Sequence, residues 1–127
     1  MLFLKVILFV VFPIAIGLLL YDWYGTQPPL GIPKLDVLKD SVPSWSGMIY
    51  NVPDGLWAFG LMSAILIIWN EEKHRIRYFW IGLTILLAFG AEFLQLTPIL
   101  NGTFDWWDVL AIGVGLVFSV FLLLKQK

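Results

Sequence analysis

Four apolar stretches, each approaching the roughly 20 residues that a helix needs to cross a bilayer's hydrocarbon core, take up most of this chain. No other feature narrows the fold so far. In lipid a backbone must satisfy its own N–H and C=O groups, so segments of this kind become helices. The composition agrees: 13% of the residues are charged and 60% are hydrophobic, against about 25% charged in ordinary soluble domains. The expected architecture is an all-α integral membrane bundle of four transmembrane helices, one domain over residues 1–127.

The first run, LFLKVILFVVFPIAIGLLL at 2–20, is broken only by Lys5 and Pro13. Lys5 lies near its start, where the ammonium can snorkel to the interface, and proline kinks a membrane helix without forbidding it. The run is longer than the apolar stretch of a signal peptide, about 7 to 15 residues, and YDWYGTQPP after it offers no small-residue cleavage site. It reads as an uncleaved span. The second run, 55–69, is short for the bilayer, so its ends are expected at or just inside the headgroups and Asp54 unusually deep. The third and fourth are 78–96 and 106–124. Residues 21–54 make the one long connection, with Pro28, Pro29, Pro33, Pro43 and Pro53 in it. Proline at that density forbids a continuous helix. Within it PKLDVLKDS predicts a short turn with Leu35 and Leu38 on one side.

Lysine and arginine set the orientation, because short cytoplasmic loops are enriched in them. NEEKHRIR supplies Lys73, Arg75 and Arg77 between the second and third spans. With that loop inside, Lys5, Lys125 and Lys127 are inside too, and only Lys34 and Lys39 fall outside. Both termini are thus expected to be cytoplasmic. Trp and Tyr favour membrane interfaces, so Tyr21, Trp23, Tyr24, Trp57, Trp106 and Trp107 are expected at the outer edge and Trp69, Tyr78 and Trp80 at the inner. Zero cysteines exclude a disulfide and a thiolate metal site. A net charge of −1 decides nothing about partners. Phosphate loops, G-x-S-x-G, H-E-x-x-H and basic nucleic-acid stripes are all missing from the sequence.

Against this apolar background AEFLQLTPILNGTFDWWDVL stands out, with Glu92, Gln95, Asp105 and Asp108 between two spans. Glu92 and Gln95 are three apart and share a side of the third helix. Counting inward from the turn at 1.5 Å per residue, Glu92 and Asp108 reach similar depths, and Asp54 joins them if the second helix packs on that side. Plain capping accounts for some of these acids. Asp54 precedes an apolar run as an N-cap does, Thr103 or Asp105 heads the fourth helix, and Asp108 fits the acidic partner of a capping pair. Glu92 is different, since the dipole at a helix C-terminus disfavours its charge and burial in lipid costs a few kcal/mol. It needs a partner or a proton, and two carboxylates in one site resist joint ionisation. Either it pins the hairpin as a hydrogen-bonding acid or it marks function, as intramembrane ionisable residues do by default. A divalent cation is the weaker alternative, because hard-cation sites come with a recognisable loop; no metal or cofactor is expected. His74, the lone histidine, reads as a solvated loop residue. Ala111, Gly115 and Ser119, with Gly60 and Ala64 on the second span, have the small-residue spacing of close helix packing.

Glu92 and Gln95, a turn, and then GTFDWWDVLAIGVG from Gly102 to Gly115 resemble the C-terminal signature of the VanZ-like family of small bacterial membrane proteins. PSWSGMIYNVPDGLWAFGL resembles that family's approach to its second helix. Asn101 and Gly102 stand where the family often has an arginine, Ile112 where it has an asparagine, and Trp57 or Ala58 where it has a histidine. The resemblance implies a cell-envelope protein of the bacterial cytoplasmic (inner) membrane, with Glu92, Gln95, Asp105, Asp108 and Asp54 as its polar set.

Three functions fit these residues. In the favoured one the outer-leaflet acids bind a membrane lipid, a lipid-linked envelope precursor or a membrane protein partner without catalysis. In the second, Glu92 and Asp108 are the acid/base pair of an intramembrane enzyme acting on a lipid-linked substrate. The third is a small dimeric transporter, for which an acid nearer the midplane is expected. Nucleic acid is not among the expected partners.

Overall fold

The computed structural model describes residues 1–24, 46–71, 74–99 and 103–124. Lys34, Lys39 and the turn expected at Leu35 and Leu38, together with Lys73, Asn101, Gly102 and the tail KQK, lie outside the described residues, as do the side chains of Trp23, Tyr24 and His74.

The first rod is α-helical over Leu2–Val6, widens to a π-helical turn over Ile7–Val11, and is α-helical again over Phe12–Tyr24. We call it α1. Pro13 explains the wide turn: it has no N–H, and its ring crowds the carbonyl four residues back, that of Phe9, inside the π segment. Such local adjustments let membrane helices keep a proline. The remaining rods are α2 (Ser46–Ile68), α3 (His74–Leu94) and α4 (Trp106–Leu124). All four are long and apolar enough to cross a membrane. Their outward faces suit only an apolar solvent, with Val117 70% and Leu86 67% exposed among many large aliphatic and aromatic side chains. Soluble monomers rarely show so continuous an apolar surface.

The boundaries correct several expectations. The connection is shorter than 21–54, because α1 runs on to Tyr24 and α2 begins at Ser46. Pro53 and Asp54 are therefore inside α2, and Asp54 is no N-cap. Pro53 costs the helix one hydrogen bond, and packing outweighs that loss: it is buried, and a Cβ at Gly17 of α1 would stand 3.4 Å from its carbonyl. The third helix ends at Leu94, which leaves Gln95 in the following turn. The fourth coincides with the expected 106–124.

Central in the bundle is α2, lying along α4 on one face and along α1 on another, with α3 packed more lightly against α2 and α4. Apolar attraction between helices is weak in lipid, so close backbone approach must hold the seam. Gly55 and Gly115 provide it. A Cβ on Gly55 would lie 2.8 Å from the Ala111 carbonyl oxygen, and one on Gly115 would run into the Gly55 carbonyl. Below the crossing Ala58, Met62, Leu66, Ile112 and Leu116 form the buried core, which Ile81, Ala88 and Phe89 of α3 flank. Gly60 serves the other face, where a Cβ would meet the Ile14 side chain at 2.7 Å. The ring centroids of Phe9 and Phe59 lie 6.4 Å apart and those of Phe59 and Phe118 6.0 Å, which ties α1, α2 and α4 together.

The start of α1 and the ends of α2 and α4 share one end of the bundle, where Lys5, Asn70 and Leu123 line one cavity. Trp69 and Trp80 stack there at 5.7 Å. At the opposite end Phe93, Phe104 and Trp106 make a chain of ring contacts, at 6.0 and 5.0 Å, that pins the turn between α3 and α4.

Candidate functional site

Polar groups gather at the hairpin end of this bundle, where α2, α3 and α4 meet. Asp108, in the first turn of α4, is the hub. Its Oδ1 accepts a hydrogen bond from Asn51 Nδ2 of α2, and its carboxyl lies beside that of Asp54. Asn51 and Asp54 reach the same partner because three residues along a helix return to one side. The start of α2 before Pro53 makes this possible, since it places Asn51 on the helix.

From α3, Glu92 interacts with Asp54, Asp108 and Asp105 through charge. It is 8% exposed. Its Oε1 accepts a long 3.5 Å hydrogen bond from Gln95 Nε2, and its Oε2 is buried without a hydrogen-bond partner among the described residues. Gln95 stays close, although it lies past the helix end, because its backbone N–H bonds the Glu92 carbonyl at 3.1 Å in the closing turn.

Asp105 does something else. Its Oδ1 accepts the Trp107 N–H at 2.9 Å, the bond by which an N-cap satisfies a free helix-end donor. It is exposed and acts on the cluster only through its charge. Asp108 is not the acidic half of a capping pair, since its carboxyl is turned to α2. An Asp105→Ala variant is expected to lose about 1 kcal/mol of stability, and Asp105→Ser to keep most of it, as read by thermal unfolding in detergent micelles.

Of the residues expected to form the site, Glu92, Gln95, Asp54 and Asp108 are brought together, while Asp105 caps its helix. Glu92 acts on both aspartates through charge, whereas Asp54 and Asp108 lie side by side. The buried polar residues that sequence reasoning misses include Asn51, 6% exposed, and Asp22, 2% exposed near the end of α1. The signal for Asn51 is its spacing from Asp54, which shows only once NVPDG is helix. Asp22 sits between Tyr21 and Trp23, an aromatic pair that drew the eye to an interface rather than to an acid.

Chemically the cluster is one-sided. It offers carboxyl oxygens and two amides, while the described cationic side chains, Lys5, Arg75 and Arg77, belong to the start of α1 and the start of α3 at the other end. Among the described residues no three of His, Cys, Asp and Glu are grouped to hold a metal ion. Comparison with protein-family models, with curated proteins and with solved structures found no match, so the four-helix architecture and this polar cluster are identified from the chain itself.

Proposed function

We propose that this chain is a VanZ-like integral protein of the bacterial cytoplasmic (inner) membrane that binds a lipid, or the lipid part of an envelope precursor, at its buried polar cluster. In this reading both termini face the cytoplasm, the Lys5, Arg75 and Arg77 end lies inside as the distribution of cations favours, and the cluster lies beneath the extracytoplasmic surface.

One observation carries the reading: Asn51 belongs to the cluster and to an open apolar groove at once. The groove, about 380 Å³, runs between α2 and α4, and Val52, Phe59, Leu110, Val114 and Phe118 are among its walls with Asn51 at one end. Apolar walls with a few convergent polar groups are what an amphiphilic ligand requires. An acyl chain in the groove would bring its headgroup to the end where Asn51 bonds Asp108.

A lipid with a photoreactive diazirine in mid-chain, supplied in nanodiscs, should crosslink preferentially to Phe59 and Val114, and Val114→Trp should reduce that labelling severalfold. Equal labelling of the outward Leu86 and Leu87 on α3 would mean ordinary annular lipid and end the reading. The adjacent carboxyls of Asp54 and Asp108 favour one second reading, an intramembrane enzyme in which one carboxyl is acid and the other base. Loss of lipid turnover in Asp54→Asn and Asp108→Asn with crosslinking intact would select it.

A further inference from the structure

We infer that the ligand presented to this cluster carries a primary ammonium group, as the headgroup of an aminophospholipid does; the inference rests on the lipid-binding reading above and narrows it to one headgroup chemistry. Its starting point is Glu92. The side chain is nine-tenths buried, one carboxyl oxygen has no hydrogen-bond partner among the described residues, and the other has only the long bond from Gln95. A buried polar atom left in this state costs free energy that a bound donor recovers.

What can supply that donor follows from the neighbours. Asp54, Asp108 and Asp105 all act on Glu92 with the same sign of charge, and the described lysine and arginine side chains are at the far end of the bundle. An exposed phosphate would add like charge to a group of acids. A metal ion lacks the grouping of ligands it needs among the described residues. A primary ammonium group fits on both counts, being cationic among acids and carrying three N–H donors, one of which answers Glu92 Oε2. A quaternary ammonium headgroup has the same charge and no N–H, so it leaves Oε2 unpaired. The selectivity resides in hydrogen bonding as well as in charge.

Native mass spectrometry of the full chain, purified in detergent and offered phosphatidylethanolamine, phosphatidylcholine and phosphatidylglycerol with identical acyl chains at equal concentration, tests this. Wild type should retain phosphatidylethanolamine over both others by about tenfold, the effect of one charge-assisted hydrogen bond. Glu92→Gln should reduce that preference to near parity at unchanged melting temperature. Asp54→Asn, equally conservative in shape, should also weaken the preference, and it serves as the second variant if the first does not fold. Ethanolamine and glycerophosphoethanolamine are offered alone: retention as strong as that of the intact lipid would keep the ammonium assignment and overturn the lipid as its source. Equal or stronger retention of phosphatidylglycerol, or a preference that survives both substitutions, would overturn the ammonium assignment while leaving lipid binding intact. If no lipid of any headgroup is retained, the lipid-binding reading itself falls, and this inference with it.

Discussion

Gly115→Ala should destabilise the bundle by about 1 to 3 kcal/mol, the usual cost of overfilling a packed site, and Gly115→Val by more. The added Cβ would run into the Gly55 carbonyl and come within 3.1 Å of the Phe59 backbone nitrogen. Both obstacles are main chain, so no rotamer change relieves them, and α2 and α4 must separate. Gly82→Ala provides the contrast. A Cβ there has nothing within 4 Å, and replacing glycine inside a helix removes an entropic penalty of roughly 0.5 to 1 kcal/mol. Unfolding by SDS titration in mixed micelles, followed by tryptophan fluorescence, should show opposite signs for the two alanines. Equal stabilities would mean that the α2–α4 crossing is looser than its geometry. Because Asn51 and Asp108 sit on the two helices that part, Gly115→Val should also abolish lipid retention.

The second large effect is expected from Asp108→Ala. This change leaves the buried Asn51 amide without its acceptor. An orphaned buried group costs about 1 to 3 kcal/mol. Asp108→Asn should cost far less, since its amide oxygen still accepts from Asn51 and its NH₂ can donate to Asp54. A double-mutant cycle with Asn51→Ala separates the shared term. Coupling between helices in membranes averages about 0.6 and reaches about 1.7 kcal/mol, and a carboxyl acceptor belongs near the upper figure. A coupling energy near zero would dissociate Asn51 from the cluster and remove the link between cluster and groove.

Much of the architecture was legible because lipid allows few solutions. Runs of about twenty apolar residues become helices, and in α4 the observed and expected limits agree to the residue. The errors share a cause. NVPDG combines proline, glycine and two polar residues, a combination that in water signals a turn. Here it is helix, because α1 packs over Pro53 at Gly17 and α4 packs over Gly55. That misreading also hid Asn51 and made Asp54 an N-cap. Of the two N-cap candidates, Thr103 and Asp105, the cap is Asp105, whose bond to Trp107 N–H is local, whereas Asp108, an acid of the first turn as expected, takes its hydrogen bond from another helix.

The sequence alone determined that this chain makes four membrane-length helices and that acids gather near the turn between the last two, because hydrophobic length and local spacing are properties of consecutive residues. Only the tertiary structure decided which acids meet. Asn51 and Asp108, 57 residues apart, share a hydrogen bond because two glycines let α2 and α4 touch backbone to backbone, and Glu92 has one oxygen without a hydrogen-bond partner among the described residues because burial shuts it away from any other donor there. Contacts of this kind depend on the angle and closeness at which helices cross, which no window along one helix contains.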